Sequence, residues 1–413
     1  MTADRHANII DPDVYVRGIP HATFQRLRDE DPVSWWNEPN GSGFWAVTRY
    51  QDVLGVSHAP RTFATAHGIR LEEMTLEETD ARRSMMEIDP PDHTRYRRRV
   101  QLPFSRREVL AYEQAIRGLT RSVLDEVRGR TSLDFVDDIA RPLPMRWLGK
   151  LLGVPDQDGP WLARQADALL GNTDREFTTH PVDLVDTDRY RLMPFRSPAA
   201  ESLFEYAEAQ ARCRLERPTN DVISDLLNPT IEGEHLTEQE FKNFFTLLVV
   251  AGNDTTRYTM AAAIEALLAD RESMAILRDH PALLPTAVEE FLRWSTVTMH
   301  FRRTAVAETE LGGRRIKAGD KVVMWFISAD FDDRQFDDPF RFDIRRDPNE
   351  HVAFGLKSPH KCLGEHLARL EIRVLFEELL PRLSDIRPAG PIERLRSNFV
   401  SGIKHLPIEV AWA

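Results

Sequence analysis

The chain has 413 residues, 42% hydrophobic and 29% charged, with a formal net charge of −12. That is the composition of a globular protein with a large core, and the negative balance argues against a nucleic-acid partner. Two distant cysteines, Cys213 and Cys362, exclude a disulfide framework and fit a reducing, cytoplasmic compartment, while the opening M-T-A-D-R-H-A-N-I-I-D-P-D has no apolar run to anchor the chain in a membrane. Length alone predicts two or three domains. No internal repeat, low-complexity tract or linker divides the chain.

Ser34–Trp36 and Phe44–Val47 read as strands paired across the turn N-E-P-N-G-S-G. Residues 61–90 look polar and irregular, with scattered apolar Ile69, Leu71 and Met74; a loop of this kind is functional or disordered. Pro90 and Pro91 then stop one element, and a helix is predicted after Asp92, with His93 and Arg97 at i and i+4 on one face. Six arginines and no acid fall between Arg95 and Arg107. The ordinary reading is a solvated helical face; the sharper one is an anion site beside a docking patch for an acidic partner. Helices are expected over Leu110–Val127 and Leu143–Val154, and Asn172–Pro198, which has no period, is a candidate lid.

Thr237 and Glu240 form a capping box, and helical residues follow to about Asp270, a span of about 50 Å at ~1.5 Å per residue. Midway, Gly252, Asn253, Asp254, Thr255 and Thr256 interrupt the apolar run F-F-T-L-L-V-V-A. Glycine and threonine are poor helix formers, and a buried aspartate is costly without a partner. A polar helix end would explain them, but Met260–Leu268 resumes the pattern, so a local rule is broken inside an element, where function is expected. Further on, Glu290 and Arg293 form E-x-x-R, a pair that alone says little. His300–Ala305 and Lys321–Ile327 read as strands, and Ser397–Ile403 as a turn dipping toward a pocket.

In His351–Gly364, H-V-A-F-G-L-K-S-P-H-K-C-L-G, Cys362 ends a loop. Leu363, Leu367, Leu370 and Val374 then recur at helical spacing until Pro381. A thiol at or just before a helix N-terminus is expected to have a lowered pKa and to ligate a soft or borderline metal. Most free cysteines are simply small buried hydrophobes. A zinc site with His351, His360 or His366 has weak support, since no second cysteine is near and no paired-histidine spacing is present.

The loop F-G-L-K-S-P-H-K-C-L-G resembles the haem-thiolate loop of the cytochrome P-450 family, F-G-x-G-x-H-x-C-x-G. Phe354, Gly355, His360, Cys362 and Gly364 match; there is one extra residue between Gly355 and His360, and Lys357 and Ser358 stand where a second glycine belongs. Three further stretches, D-P-P-D-H-T-R-Y-R, A-G-N-D-T and E-E-F-L-R, resemble ordered motifs of the same family. The resemblance implies a mainly α fold with a smaller β-rich region, as one domain over residues 1–413. It implies haem b with an axial thiolate from Cys362, framed by Phe354 and Gly364. His93 and Arg97 would hold one propionate, Arg303 the second and His360 a propionate from the loop side, with Arg302 a surface charge. Ala251 and Gly252 would leave room for O2, and Asp254 and Thr255 would form an acid–alcohol pair relaying protons. Glu290 and Arg293 would lock to Arg341 of D-P-F-R-F-D, fixing the cysteine loop.

The implied chemistry is monooxygenation: one oxygen atom of O2 enters a C–H bond. Ile69, Leu71, Leu247, Leu248, Ala251, Val297, Met299, Phe399 and Val400 are expected to face the pocket, and their apolar character favours a hydrophobic ligand. The C-terminal half resembles bacterial sterol, branched-lipid and alkane terminal hydroxylases, which tilts the expectation toward an aliphatic, lipid, sterol or terpenoid-like substrate. A tailoring oxidase of a polyketide or other secondary metabolite is the alternative, since fold does not set substrate. A haem sensor or carrier without catalysis would need no Asp254–Thr255 relay. No flavin or NAD motif is present, so electrons are expected from an acidic ferredoxin with its reductase, docking on Arg98, Arg99, Arg106, Lys357 and Lys361.

Overall fold

The computed structural model describes residues 6–39, 41–229, 233–355 and 358–413. Its axis is the helix Glu238–Ala269. Thr237 starts it as the spacing predicts: its hydroxyl accepts the Glu240 N–H at 3.2 Å, and the Glu240 carboxylate accepts the Thr237 N–H at 2.7 Å. The helix belongs to two apolar cores. Toward its start Phe244, Phe245 and Val249 pack with Leu162, Leu203 and Ile223. Beyond the polar interruption, Met260, Ile264 and Leu267 pack with Phe291, Ile372 and Phe376. The helix Pro142–Leu152, closed by Gly153 at φ +71°, lies against it. A Cβ at Gly252 would come within 3.0 Å of Leu148 of that helix, so helix packing also demands the small residue there.

The main sheet holds Val33–Trp36, Phe44–Val47, Lys321–Trp325, His300–Ala305 and Phe63–Ala64 in that spatial order. Phe44–Val47 runs parallel to Lys321–Trp325; the other pairs are antiparallel. The central strand is buried at every position because both faces are covered. Val322 and Met324 face one apolar cluster, and Val323 and Trp325 face another, the two-residue alternation of a strand.

Several elements differ from the sequence expectation. Residues 61–90 are not irregular throughout, because Thr75 and Glu78 form a second capping box that starts the helix Leu76–Arg82. The helix expected over Leu110–Val127 is divided at Tyr112 into Arg106–Ala111 and Glu113–Glu126. The strand from Lys321 stops at Trp325, and Phe326–Ala329 turns as a short helix. Segment 172–198 is built of turns tied down by Asn172, whose Nδ2 donates to the Phe195 carbonyl at 2.9 Å, and by an Arg396–Asp183 ion pair at 2.8 Å. Among the described residues, no helix is long and apolar enough to cross a membrane.

Candidate active site

The cysteine loop turns at Gly355, whose φ of +70° favours glycine, and the Cys362 N–H donates to the Phe354 carbonyl at 2.9 Å. Gly364 caps the helix Glu365–Leu379, so Cys362 stands just ahead of it. Lys357 lies outside the described residues. Cys362 is open to a large internal cavity. Burial pushes its thiol up, outweighing the Gly364 backbone bond and the nearby Arg97. The lowering expected from the helix terminus is therefore not realised by the protein alone; a cation bound beside the sulfur would favour the thiolate.

Behind the loop lies a buried polar network. Arg293 grips both oxygens of Glu290 at 2.8 and 2.7 Å and donates to the carbonyls of Asp330 and Pro339. The third member of this lock is Arg346, with Nε 3.2 Å from Glu290, and not Arg341. Phe342 turns into the core against Phe291, which leaves the Arg341 side chain exposed; Arg341 contributes only its carbonyl, to Arg346. A second clamp escaped the sequence reading. Arg369 holds Glu289 through two bonds, at 2.7 and 2.9 Å, and its guanidinium covers the Phe354 ring at 4.7 Å. Each partner comes from a different segment, so no local spacing announces it.

His93, Arg97, Arg303 and His360 line the same cavity. The His93 and His360 rings lie 4.2 Å apart, and Nε2 of each is buried with no partner among the described residues. Burial is the largest cause of their lowered pKa values, to about 4 for His93 and about 2 for His360. Burial likewise lowers Arg97, and it lowers Arg303 to about 10. Nη1 of Arg303 donates to the Arg302 carbonyl. Arg302 is buried, not a surface charge: it turns away from the thiol to the Glu72 carbonyl, at 2.9 Å, and to Thr304. Unpartnered nitrogen donors around a cavity with a thiol in its wall fit a flat, metal-bearing group with anionic arms.

On the opposite wall, Thr255 lines the cavity, with its hydroxyl donating to the Ala251 carbonyl at 3.0 Å; Ala251 and Gly252 line it too. Asp254 leaves the helix ~100° away and does not reach the cavity. It is fully buried, 3.1 Å from Arg257, which also contacts Asp167 at 2.7 Å. Arg141, 3.4 Å from Asp167 and 3.3 Å from the exposed Asp137, carries this charge chain outward. Burial raises the Asp254 carboxyl to about 7 against the opposing pull of Arg257.

The cavity extends away from the cysteine along the helix Glu238–Ala269. Ile69, Leu247, Thr298 and Phe301 line both parts; Leu248 and Val297 belong to the cysteine part, Phe399 and Val400 to the remote part. Leu71 and Met299 do not line it. Both pack into the core cluster around Trp325, because the chain changes phase between Thr298 and Phe301 and sends Met299 to the other side. Thr298, Phe301, Phe195 and Met86 are lining residues that sequence reading missed, since no periodicity marks them.

A family model described as "Cytochrome P450" matches residues 199–390. Linalool 8-monooxygenase of Pseudomonas putida is 35% identical over 96% of this chain and 97% of its own length. Steroid C26-monooxygenase of Mycolicibacterium smegmatis is 32% identical over 98% and 94%. A solved Mycobacterium marinum cytochrome P450 in complex with pseudoionone superposes with a TM-score of 0.86, at 37% identity and 94% coverage of both chains. The chain belongs to the cytochrome P450 family. It is a monooxygenase of hydrophobic substrates that works through haem with a cysteine thiolate as axial ligand.

Proposed function

We propose that Cys362 is the thiolate ligand and that His93, Arg97, Arg303 and His360 hold the haem propionates. The supporting observation is the pair of buried, unpartnered Nε2 atoms of His93 and His360, beside two arginines, in the cavity that Cys362 faces. Phe354 and Gly364 line the same wall. When bound, the haem supplies the activation of O2 and the oxidation of the substrate C–H bond.

The chain's own residues hold the substrate and move protons. Thr255 presents its hydroxyl to the cavity, and Ala251 and Gly252 keep the helix surface low beside it. Asp254, whose carboxyl burial raises to about 7, is the acid we assign to supply protons toward Thr255; Arg257, Asp167 and Arg141 are ion-paired beside it, and the two arginines stay charged and hold it in place. In Thr255→Ala, NADH use is expected to uncouple from product and release peroxide; full coupling in that variant would remove the relay. The carbon-monoxide difference spectrum tests the ligand. A red-shifted thiolate band lost in Cys362→His supports Cys362, and a band at the histidine position in the unaltered protein overturns it.

Substrates of aliphatic, sterol, lipid or terpenoid character suit the apolar wall of Leu247, Val297 and Phe399, and the linalool and steroid enzymes named above act on molecules of that kind. For electrons we infer an acidic ferredoxin with its reductase. Arg98 and Arg106 are exposed for docking. Arg99 is less available, since it donates to the carbonyls of Asn228 and Glu234, and Lys361 pairs with Glu365 at 2.5 Å. Residues 1–413 are read as one domain, because the helix Glu238–Ala269 is shared by both large cores, acting in the cytoplasm.

A further inference from the structure

The remote part of the cavity carries charge that haem binding does not use. Arg70, Glu72, Arg82 and Glu87 all line it, together with Thr246 of the long helix, and none of them borders the cysteine part. Glu72 is shared by three arginines: Arg82 at 2.9 Å, Arg70 at 3.3 Å and Arg196 at 3.9 Å. Arg82 also has Glu78 at 3.6 Å. Arg70 makes one hydrogen bond among the described residues, the long one to Glu72, and lies with its guanidinium 4.2 Å from the Phe195 ring centre. Its other nitrogens are therefore available to the cavity. Glu87 receives both its bonds from Ser84 on one oxygen, Oε2. Thr246 is 1% exposed, and its hydroxyl has no partner among the described residues. Burying an unpaired hydroxyl is unfavourable unless something supplies its hydrogen bond.

The charges in the wall balance: Arg70 and Arg82 stand against Glu72 and Glu87, while Arg196 is nearer to Asp188, at 3.4 Å, than to Glu72. An anionic head placed here would sit beside Glu72 and Glu87 and be repelled. A hydroxyl can accept from Arg70 and donate to Glu87; a carbonyl can accept from Arg70 and from the Thr246 hydroxyl. Burial also raises the Glu87 carboxyl, which weakens the case for a cationic head. Thr246 and Thr255 are on one helix, nine residues and about 14 Å apart at ~1.5 Å per residue.

We propose that Arg70, Glu87 and Thr246 form a subsite for a neutral hydroxyl or carbonyl oxygen on an elongated, otherwise apolar substrate, holding it about 14 Å along the helix from Thr255 so that the opposite end is oxidised. This rests on the monooxygenase reading of the cavity. The subsite selects oxygenated ligands over plain hydrocarbons and sets which carbon is presented.

The test uses the haem-loaded protein and four ligands of one chain length: dodecane, dodecan-1-ol, dodecan-2-one and dodecanoate. Affinity is read from the Soret spin shift and from equilibrium dialysis, so a ligand that leaves the spin state unchanged still reports. The alcohol and ketone are expected to bind at least about tenfold tighter than the alkane, the carboxylate no tighter than the alkane, and oxidation to occur at the carbons far from the oxygen. In Arg70→Met and in Thr246→Val the alcohol-to-alkane affinity ratio is expected to fall toward one, with the carbon-monoxide spectrum reporting intact haem binding. Four equal affinities, or an unchanged ratio in both variants, overturns the subsite. Tightest binding of dodecanoate overturns the neutral-head assignment. Failure of the monooxygenase reading is a separate result: the thiolate carbonyl band is absent whatever the ligand affinities.

Discussion

At the cysteine end of the cavity, His93, Arg97, Arg303 and His360 face inward, and none has a carboxylate hydrogen-bonded to it among the described residues. At the remote end, two arginines, Arg70 and Arg82, meet two glutamates, Glu72 and Glu87. Both ends bury arginine, and the surroundings make the difference. Unpaired cationic and imidazole donors in a desolvated wall are costly by themselves and become favourable when an anionic group arrives. A balanced cluster has no net charge to satisfy. It leaves directional donors and acceptors, which orient a neutral ligand and discriminate by hydrogen bonds. One cavity thus carries a charge-matched seat for a permanent group and a charge-neutral seat for a passing one.

The largest effects are expected at the cysteine end. Arg293→Ala leaves Glu290 buried and underpaired, and removing one partner of such a pair costs ~3–5 kcal/mol. Denaturant unfolding should show that loss together with a weakened thiolate carbonyl band, whereas Arg341→Ala should change neither. Arg303→Met removes one inward donor; a lost hydrogen bond to a charged group is worth ~1.5–3 kcal/mol, so haem transfer to an apoprotein acceptor should run at least about tenfold further. At the remote end, Glu72→Gln upsets the balance and leaves positive charge in excess. Dodecanoate should then gain about tenfold in affinity, about 1.4 kcal/mol, relative to dodecan-1-ol. No gain would mean that the charge balance does not govern selectivity.

The smallest effect is a pH slope. Glu371 lines the cysteine part, is buried, and burial alone raises its carboxyl to about 8. The folded state holds this proton where the unfolded chain has lost it, so stability is full below about pH 4 and declines as pH rises toward 8, by at most ~1.4 kcal/mol per unit. Glu371→Gln should flatten the fall of Tm over that range. An unchanged slope would mean the carboxyl is already ionised.

The capping box at Thr237, the helix after Asp92 with His93 and Arg97 on one face, and the paired strands Val33–Trp36 and Phe44–Val47 depend on neighbours within a few residues, and each is found. The oddity at Gly252–Thr256 was legible because a buried helix should not contain it; that Gly252 also meets Leu148 was not. The stretch D-P-F-R-F-D points to Arg341, but a short motif does not say which arginine turns inward; Phe342 packs on Phe291, and Arg346 reaches Glu290 instead.

The family, the cysteine, the long helix and the apolar character of the pocket are legible in the chain, because each is carried by a local pattern or an ordered set of motifs. Tertiary structure alone decided which side chains meet. It set Asp167 against the Asp254–Arg257 pair, turned Leu71 and Met299 into a core, clamped Arg369 on Glu289, and gathered Arg70, Glu87 and Thr246 at one end of a cavity. Those contacts join segments more than 200 residues apart, as Leu71 and Met299 are. Their partners are selected by packing and by the cost of burying charge, neither of which leaves a spacing in the chain.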